Sequence, residues 1–162
     1  MKPVVPPMTL IPLPDLAAMA ALGARIAQAL RPGDVVALSG GLGAGKTTLA
    51  RAIIAALGHQ GEVPSPSFAI IELYEPPSVR LPLVHADFYR LKTPQETQEI
   101  GLDDYRHGAA LIAEWPEQAG GFAHEPSCLS ILLENAGTGR EAIVNAGPDW
   151  LGRKFMNRIT EV

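Results

Sequence analysis

Leu16, Met19, Ala20, Leu22, Ile26, Ala27 and Leu30 recur at helical spacing and mark one apolar face of a helix from Asp15 to about Leu30. Asp15 is placed to cap it, and Arg31-Pro32-Gly33 stops it. Asp34–Ser39 is a short apolar run, β-branched at Val35 and Val36, and reads as a strand buried on both faces. A glycine loop follows over Gly40–Gly45, and Lys46–Leu57 reads as a strong helix ended by Gly58. Pro64-Ser65-Pro66-Ser67 predicts a stiff exposed loop. Further strands are predicted over Phe68–Tyr74, Leu83–Ala86 with Asp87 at its end, and Ala109–Ala113 with Glu114 at its end. Leu129–Leu133 and Ala142–Val144 are later ones. Thr93-Pro94-Gln95-Glu96 has capping-box spacing and predicts a short helix to about Ile100. Pro148–Ile159 reads as a closing helix, and the prolines of residues 1–14 as an extended, loosely draped leader. The expected organisation is that leader (1–14) and one α/β domain over 15–162. Its expected form is a three-layer sandwich with a mostly parallel central sheet and an antiparallel edge.

Composition agrees with one folded domain. Of 162 residues, 47% are apolar and 19% charged, a balance that excludes a disordered chain. Gly and Pro number 16 and 15, so turns and rigid corners are abundant. The formal charge of −4 lacks the basic face of a free-standing nucleic-acid binder. Arg153, Lys154 and Arg158 read as the solvated end of the last helix. The single cysteine, Cys128, excludes an internal disulfide framework and reads as a buried structural thiol. No apolar stretch reaches membrane-spanning length and no signal-peptide pattern opens the chain, so a soluble cytoplasmic protein is expected.

The chemistry lies in Gly40-Gly41-Leu42-Gly43-Ala44-Gly45-Lys46-Thr47, which fits the phosphate-binding P-loop G-x-x-x-x-G-K-S/T. Triphosphate oxygens need several converging backbone N–H donors, and a glycine-rich loop can turn tightly enough to supply them. The helix beginning at Lys46 adds its positive end. Lys46 serves as a point charge on the β and γ phosphates, the Thr47 hydroxyl is placed for Mg²⁺, and Thr48 supplies a further donor. The apolar strand before the loop and the helix after it are the context the motif requires. No N-K-x-D element for guanine is present, which favours ATP over GTP.

Magnesium beside a triphosphate also needs a carboxylate. Asp87 and Glu114 each end an apolar strand, and in a parallel sheet those ends share an edge with the P-loop. Either could instead be a helix cap or a surface acid. His85 shares the side of Asp87 and reads first as a structural histidine. Tyr89 and Arg90 hold the Asp87 turn or reach toward phosphate. Trp115 reads first as a core-edge aromatic, with a partner or nucleotide contact as its alternative, and the Ser65/Ser67 loop as a nucleotide-sensing switch or a plain loop.

Several short blocks recur in one order. They are Leu42–Thr48, Ser65-Pro66-Ser67-Phe68, His85-Ala86-Asp87-Phe88-Tyr89-Arg90, Ile100-Gly101-Leu102-Asp103, Glu114-Trp115-Pro116 and Gly139-Arg140-Glu141. This set, over roughly residues 10–145, resembles the TsaE (YjeE) family of small bacterial P-loop ATPases. The resemblance implies a P-loop NTPase-like fold and a role in forming threonylcarbamoyladenosine in tRNA with TsaB- and TsaD-like partners. It implies that TsaD carries the transferase chemistry and that tRNA is met indirectly, through the assembly. It further implies that Gly40 to Thr48 hold the ATP phosphates and that Thr47 and Glu114 ligate Mg²⁺. Asp87 would lie near the metal or the attacking water, and Arg140 and Asp15 would approach the nucleoside end. Two positions depart from the family pattern: Gly41 stands where the family usually has Asp, and Ser67 where it usually has Thr. A small-molecule or nucleoside kinase on a P-loop scaffold is the alternative, although such kinases bring an arginine-rich lid that this chain supplies poorly. A regulatory nucleotide-binding module without turnover is a third reading.

Overall fold

The computed structural model of the chain describes residues 8–153. The elements run in the order β1 (Met8–Leu13), α1 (Leu16–Ala29), β2 (Val35–Ser39), α2 (Lys46–Ala56), β3 (Ile71–Tyr74) and β4 (Leu83–Asp87). After them come α3 (Glu96–Glu99), α4 (Leu102–Arg106), β5 (Ala110–Glu114), β6 (Cys128–Ala136) and β7 (Gly139–Ala146). One seven-stranded sheet has the order β1-β7-β6-β2-β5-β4-β3. The central strands β6, β2, β5 and β4 are parallel. Antiparallel pairing closes both flanks, β1 and β6 on β7, and β3 on β4. The expected α/β architecture is present, with antiparallel pairing on two edges instead of one.

Side-chain alternation divides the core in two. Val36 and Leu38 of β2 and Ile112 of β5 pack with Leu22, Ile26, Leu49 and Ile53 under α1 and α2. Val35, Ala37, Leu111 and Ala113 face the opposite side with Phe88, Leu102 and Phe122. Strands covered on both faces have no polar side to alternate with, hence their continuous apolar runs. The two long helices cross closely at Gly23, where a Cβ would stand 2.6 Å from Cβ of Ala52.

Several boundaries differ from the sequence expectation, β6 and β7 running beyond the expected Leu129–Leu133 and Ala142–Val144 at both ends. Residues 8–13 of the expected leader form β1, an edge strand in which Pro12 sits opposite Glu141. Proline cannot donate to a ladder, but an edge strand leaves one side of its backbone free of that demand. The strand expected from Phe68 begins at Ile71, because Pro66–Ile70 forms a turn in which Ile70 N donates to Pro66 O at 2.6 Å. The sequence reading omitted α4, which Gly101 in the left-handed region separates from α3. The expected closing helix is a single 3-10 turn over Pro148–Trp150, and its remainder from residue 154, with Lys154 and Arg158, lies outside the described residues. Arg153 is not a solvated cation: it is buried and paired with Asp34, with Nη1 2.6 Å from Oδ2. Cys128 is buried as expected, and burial pushes its thiol pKa up.

Candidate functional site

The site grows from the C-terminal end of β2. Gly40 leaves the strand at φ +137°, and a Cβ there would lie 2.4 Å from the Leu133 carbonyl oxygen, so only glycine fits this exit. The loop returns through Gly45, in the left-handed region at φ 106°, into the first turn of α2. Gly41 and Gly43 have open space where a Cβ would project. Leu42–Gly45 of the loop, with Lys46, Thr47, Thr48, Asp87, Glu114 and Arg140, line one cavity of about 450 Å³.

Lys46 is buried, and its ammonium donates to the Gly40 and Gly41 carbonyl oxygens at 2.7 and 2.8 Å. It also stands 4.2 Å from the centroid of the Trp115 ring. Burial lowers its pKa from 10.5, although Glu114, Glu117 and Asp87 pull in the opposite direction. The lysine charge is therefore short of compensation, and a polyphosphate would provide it.

Strand parity brings the acids together. His85 and Asp87 share one side of β4 with Leu83, and Glu114 shares one side of β5 with Ala110 and Ile112. Leu83, Ala110 and Ile112 belong to the core under α1 and α2. Asp87 and Glu114 are register partners on adjacent parallel strands. Thr47 Oγ1 at the start of α2 donates to Glu114 Oε1 at 2.6 Å, and His85 Nε2 lies 2.7 Å from Glu114 Oε2. Asp87 Oδ1 accepts from Tyr89 N at 3.0 Å, and its Oδ2 accepts from Ser67 Oγ at 3.3 Å.

Tyr89, Arg90, Trp115 and Arg140 line the same cavity, whereas Asp15 lines only its neighbour. Arg140 Nη2 donates to Gly43 O at 3.1 Å, so it closes the loop's outer lip. Asp15 caps α1 through Oδ1, which accepts from Ala18 N at 2.8 Å. It lines, with Thr48, Gly45 and Arg140, a smaller neighbouring cavity of about 170 Å³. The Arg90 guanidinium lies 4.2 Å over the Phe68 ring, and Tyr89 packs on Trp115 at 4.9 Å. Trp115 is thus more than a core-edge aromatic: it covers the P-loop lysine from a left-handed backbone at φ 55°. Its sequence signal was only its place directly after Glu114. Glu117, which acts electrostatically on Lys46, was not singled out from the sequence.

An all-protein metal cage is not what the arrangement offers. Among the described residues no group of three or more His, Cys, Asp or Glu side chains could hold a metal ion. One hydroxyl and one carboxylate beside an open phosphate cradle suit a cation that arrives with phosphate oxygens, the usual coordination of Mg²⁺. The pair Thr47 and Glu114 fits that donor set.

The model of the TsaE family, described as threonylcarbamoyl adenosine biosynthesis protein TsaE, matches residues 13–142. A "tRNA threonylcarbamoyladenosine biosynthesis protein TsaE" of Streptomyces coelicolor is 44% identical over 100 residues, covering 61% of this chain and 68% of that protein. The protein of the same name from Rickettsia typhi is 39% identical over 92 residues, and the match covers 56% of this chain and 62% of that protein. The match thus spans less than two thirds of the Rickettsia protein. The crystal structure of Bacillus subtilis YdiB superposes with a TM-score of 0.71 at 28% identity, covering 99% of this chain and 98% of that one. Among the described residues no helix is long and apolar enough to cross a membrane. With the family model running from the end of β1 into β7, through the P-loop and both strand-end acids, the chain belongs to the TsaE family of threonylcarbamoyl adenosine biosynthesis proteins.

Proposed function

We propose that this chain is an ATP-binding and Mg²⁺-dependent ATP-hydrolysing subunit required for threonylcarbamoyladenosine modification of tRNA. It acts with TsaB- and TsaD-like partners and meets tRNA only through that assembly. The observation that carries the reading is the 2.6 Å contact between Thr47 Oγ1 and Glu114 Oε1 at the mouth of the P-loop. It joins the hydroxyl and carboxylate that a nucleotide-bound Mg²⁺ requires.

The backbone amides of the loop and the first turn of α2 surround the phosphates. Lys46 exchanges its two carbonyl partners for phosphate oxygens. When bound, Mg²⁺ screens the phosphate charge, and Thr47 and Glu114 are the residues that hold it. Asp87, already accepting a hydroxyl hydrogen bond from Ser67, orients the attacking water by accepting a hydrogen bond from its O–H instead. Arg140 and Asp15 stand toward the nucleoside end.

Turnover by the chain alone is slow in this reading. Phosphoryl transfer needs charge neutralisation beyond Lys46 and Mg²⁺, often from an arginine in trans. The two arginines that line the cavity, Arg90 and Arg140, lie on the Phe68 ring and the Gly43 carbonyl, and Gly41 lacks the family carboxylate. Two such arginines do not make the arginine-rich lid of the kinase alternative. A partner surface would supply closure and order the Pro64–Ser67 loop, so nucleotide state and docking are linked. ATP favours docking and hydrolysis favours release.

The test is phosphate release by the chain alone and with a purified TsaB–TsaD pair, alongside pull-downs in ATP and ADP. Stimulated release with ATP-favoured docking is expected. Fast unstimulated turnover, with docking indifferent to nucleotide, rejects the coupled-subunit reading.

A further inference from the structure

We propose that His85 is a positioning residue that fixes the Glu114 carboxylate for the divalent cation. This rests on the Mg²⁺-nucleotide reading of the site. His85 is fully buried in the middle of β4, an unusual place for a ring that packing alone could replace with an aliphatic side chain. Its Nε2 lies 2.7 Å from Glu114 Oε2, while its Nδ1 is buried without a hydrogen-bond partner among the described residues. The ring's one polar contact is therefore the glutamate. With the carboxylate as acceptor, Nε2 donates and Nδ1 keeps a bare lone pair.

Glu114 is gripped at both oxygens, Oε2 by His85 beneath and Oε1 by Thr47 above. That division leaves a single carboxylate oxygen on the Thr47 side, where the cation is read to sit. Without His85 the carboxylate keeps only its Thr47 contact, and its orientation toward the cation is no longer fixed from both sides. Partners that orient a metal ligand typically change metal affinity by about 10–100-fold when removed.

The experiment measures binding of a fluorescent ATP analogue to the full chain with and without Mg²⁺, for the wild type, His85→Leu, His85→Gln and His85→Asn. Glutamine carries an amide N–H near the reach of Nε2; asparagine is one methylene too short. His85→Leu and His85→Asn are expected to lose about tenfold or more of the tightening that Mg²⁺ confers. Their Mg²⁺-free affinity stays at the wild-type level, and His85→Gln recovers most of the Mg²⁺ effect. A purely structural histidine would shift both affinities or neither. If His85→Leu does not fold, the Gln and Asn variants decide. Equal Mg²⁺ dependence in those two, with cooperative unfolding intact, overturns the positioning role. A wild type that binds no nucleotide, or binds it without any Mg²⁺ effect, overturns the underlying reading as well and is recognised in the first titration.

Discussion

Replacing Arg153 with Met should destabilise the fold by about 3–5 kcal/mol while leaving the nucleotide site intact. The guanidinium holds Asp34 through two bonds, Nη1 to Oδ2 at 2.6 Å and Nη2 to Oδ1 at 3.1 Å, and donates to Ala29 O at 3.1 Å. Both side chains are buried, with relative exposures of 6% and 3%, so solvent screens the pair little. Asp34 Oδ2 also accepts from Arg31 N at 2.7 Å, so the carboxylate links the end of α1, the start of β2 and the C-terminal turn. Removing the arginine leaves a buried carboxylate with one neutral donor, which is the costly half of breaking a buried pair. Against a total stability of about 5–15 kcal/mol this is a large fraction, and roughly 10 °C or more in Tm. Urea unfolding with an unchanged m-value is the assay, and Asp34→Asn/Arg153→Met closes the cycle. The double variant should lose less than the sum of the singles. The start of β2 and the P-loop lie about 16 Å apart along a five-residue strand, so ATP-analogue affinity below the melting range should be unchanged. A loss under about 1 kcal/mol, the range of exposed pairs, would refute the argument.

Five further outcomes are expected. Lys46→Ala should weaken triphosphate binding by about 10–100-fold in a fluorescent-analogue titration with intact folding, since a charged hydrogen bond is lost. Burial holds the Lys46 pKa below 10.5, so wild-type affinity should fall on the alkaline side before pH 10.5, as the charged form is lost, while Lys46→Arg stays level. Gly40→Ala should displace the loop and abolish nucleotide binding, whereas Gly41→Ala should bind normally; only the first Cβ meets backbone. Glu114→Gln should keep nucleotide binding but lose Mg²⁺-dependent turnover, plausibly ~10²-fold, measured as phosphate release in the full assembly. Asp87→Asn should lose turnover with less effect on Mg²⁺ affinity, and the opposite pattern would exchange the two roles.

The local parts of the site were legible because each follows from short-range chemistry. Asp15 caps α1, β2 runs into the P-loop, and the two acids end their strands, all readable from a few neighbouring residues. What was not legible depended on partners distant in sequence. Pro12 argues against a strand until β7 arrives to make residues 8–13 an edge. Arg153 looks solvated until the C-terminal turn folds back on Asp34, 119 positions earlier. Trp115 carries no local sign that its ring will cover Lys46, because that contact needs the P-loop and the end of β5 side by side. His85 declared its side of β4 but not its partner, since Glu114 belongs to the next strand.

Strand order places the two acids at different distances from the P-loop, which their matching strand-end positions do not show by themselves. The P-loop leaves β2, β5 is the immediate neighbour of β2, and β4 lies one strand beyond. Neighbouring strands are about 4.8 Å apart. Glu114 is thus one step from the phosphate loop and reaches Thr47 directly. Asp87, in register with Glu114 but one step farther, finds the Ser67 loop instead. A metal ligand has to sit beside the hydroxyl that opens α2, whereas a group orienting water has to stand beyond the terminal phosphate. In the proposed mechanism the order β2-β5-β4 matches those two requirements, Glu114 for the cation and Asp87 for the water. Ser67 donates to Asp87 Oδ2 at 3.3 Å, so under the proposed mechanism the attacking water and the Pro64–Ser67 loop share one carboxylate.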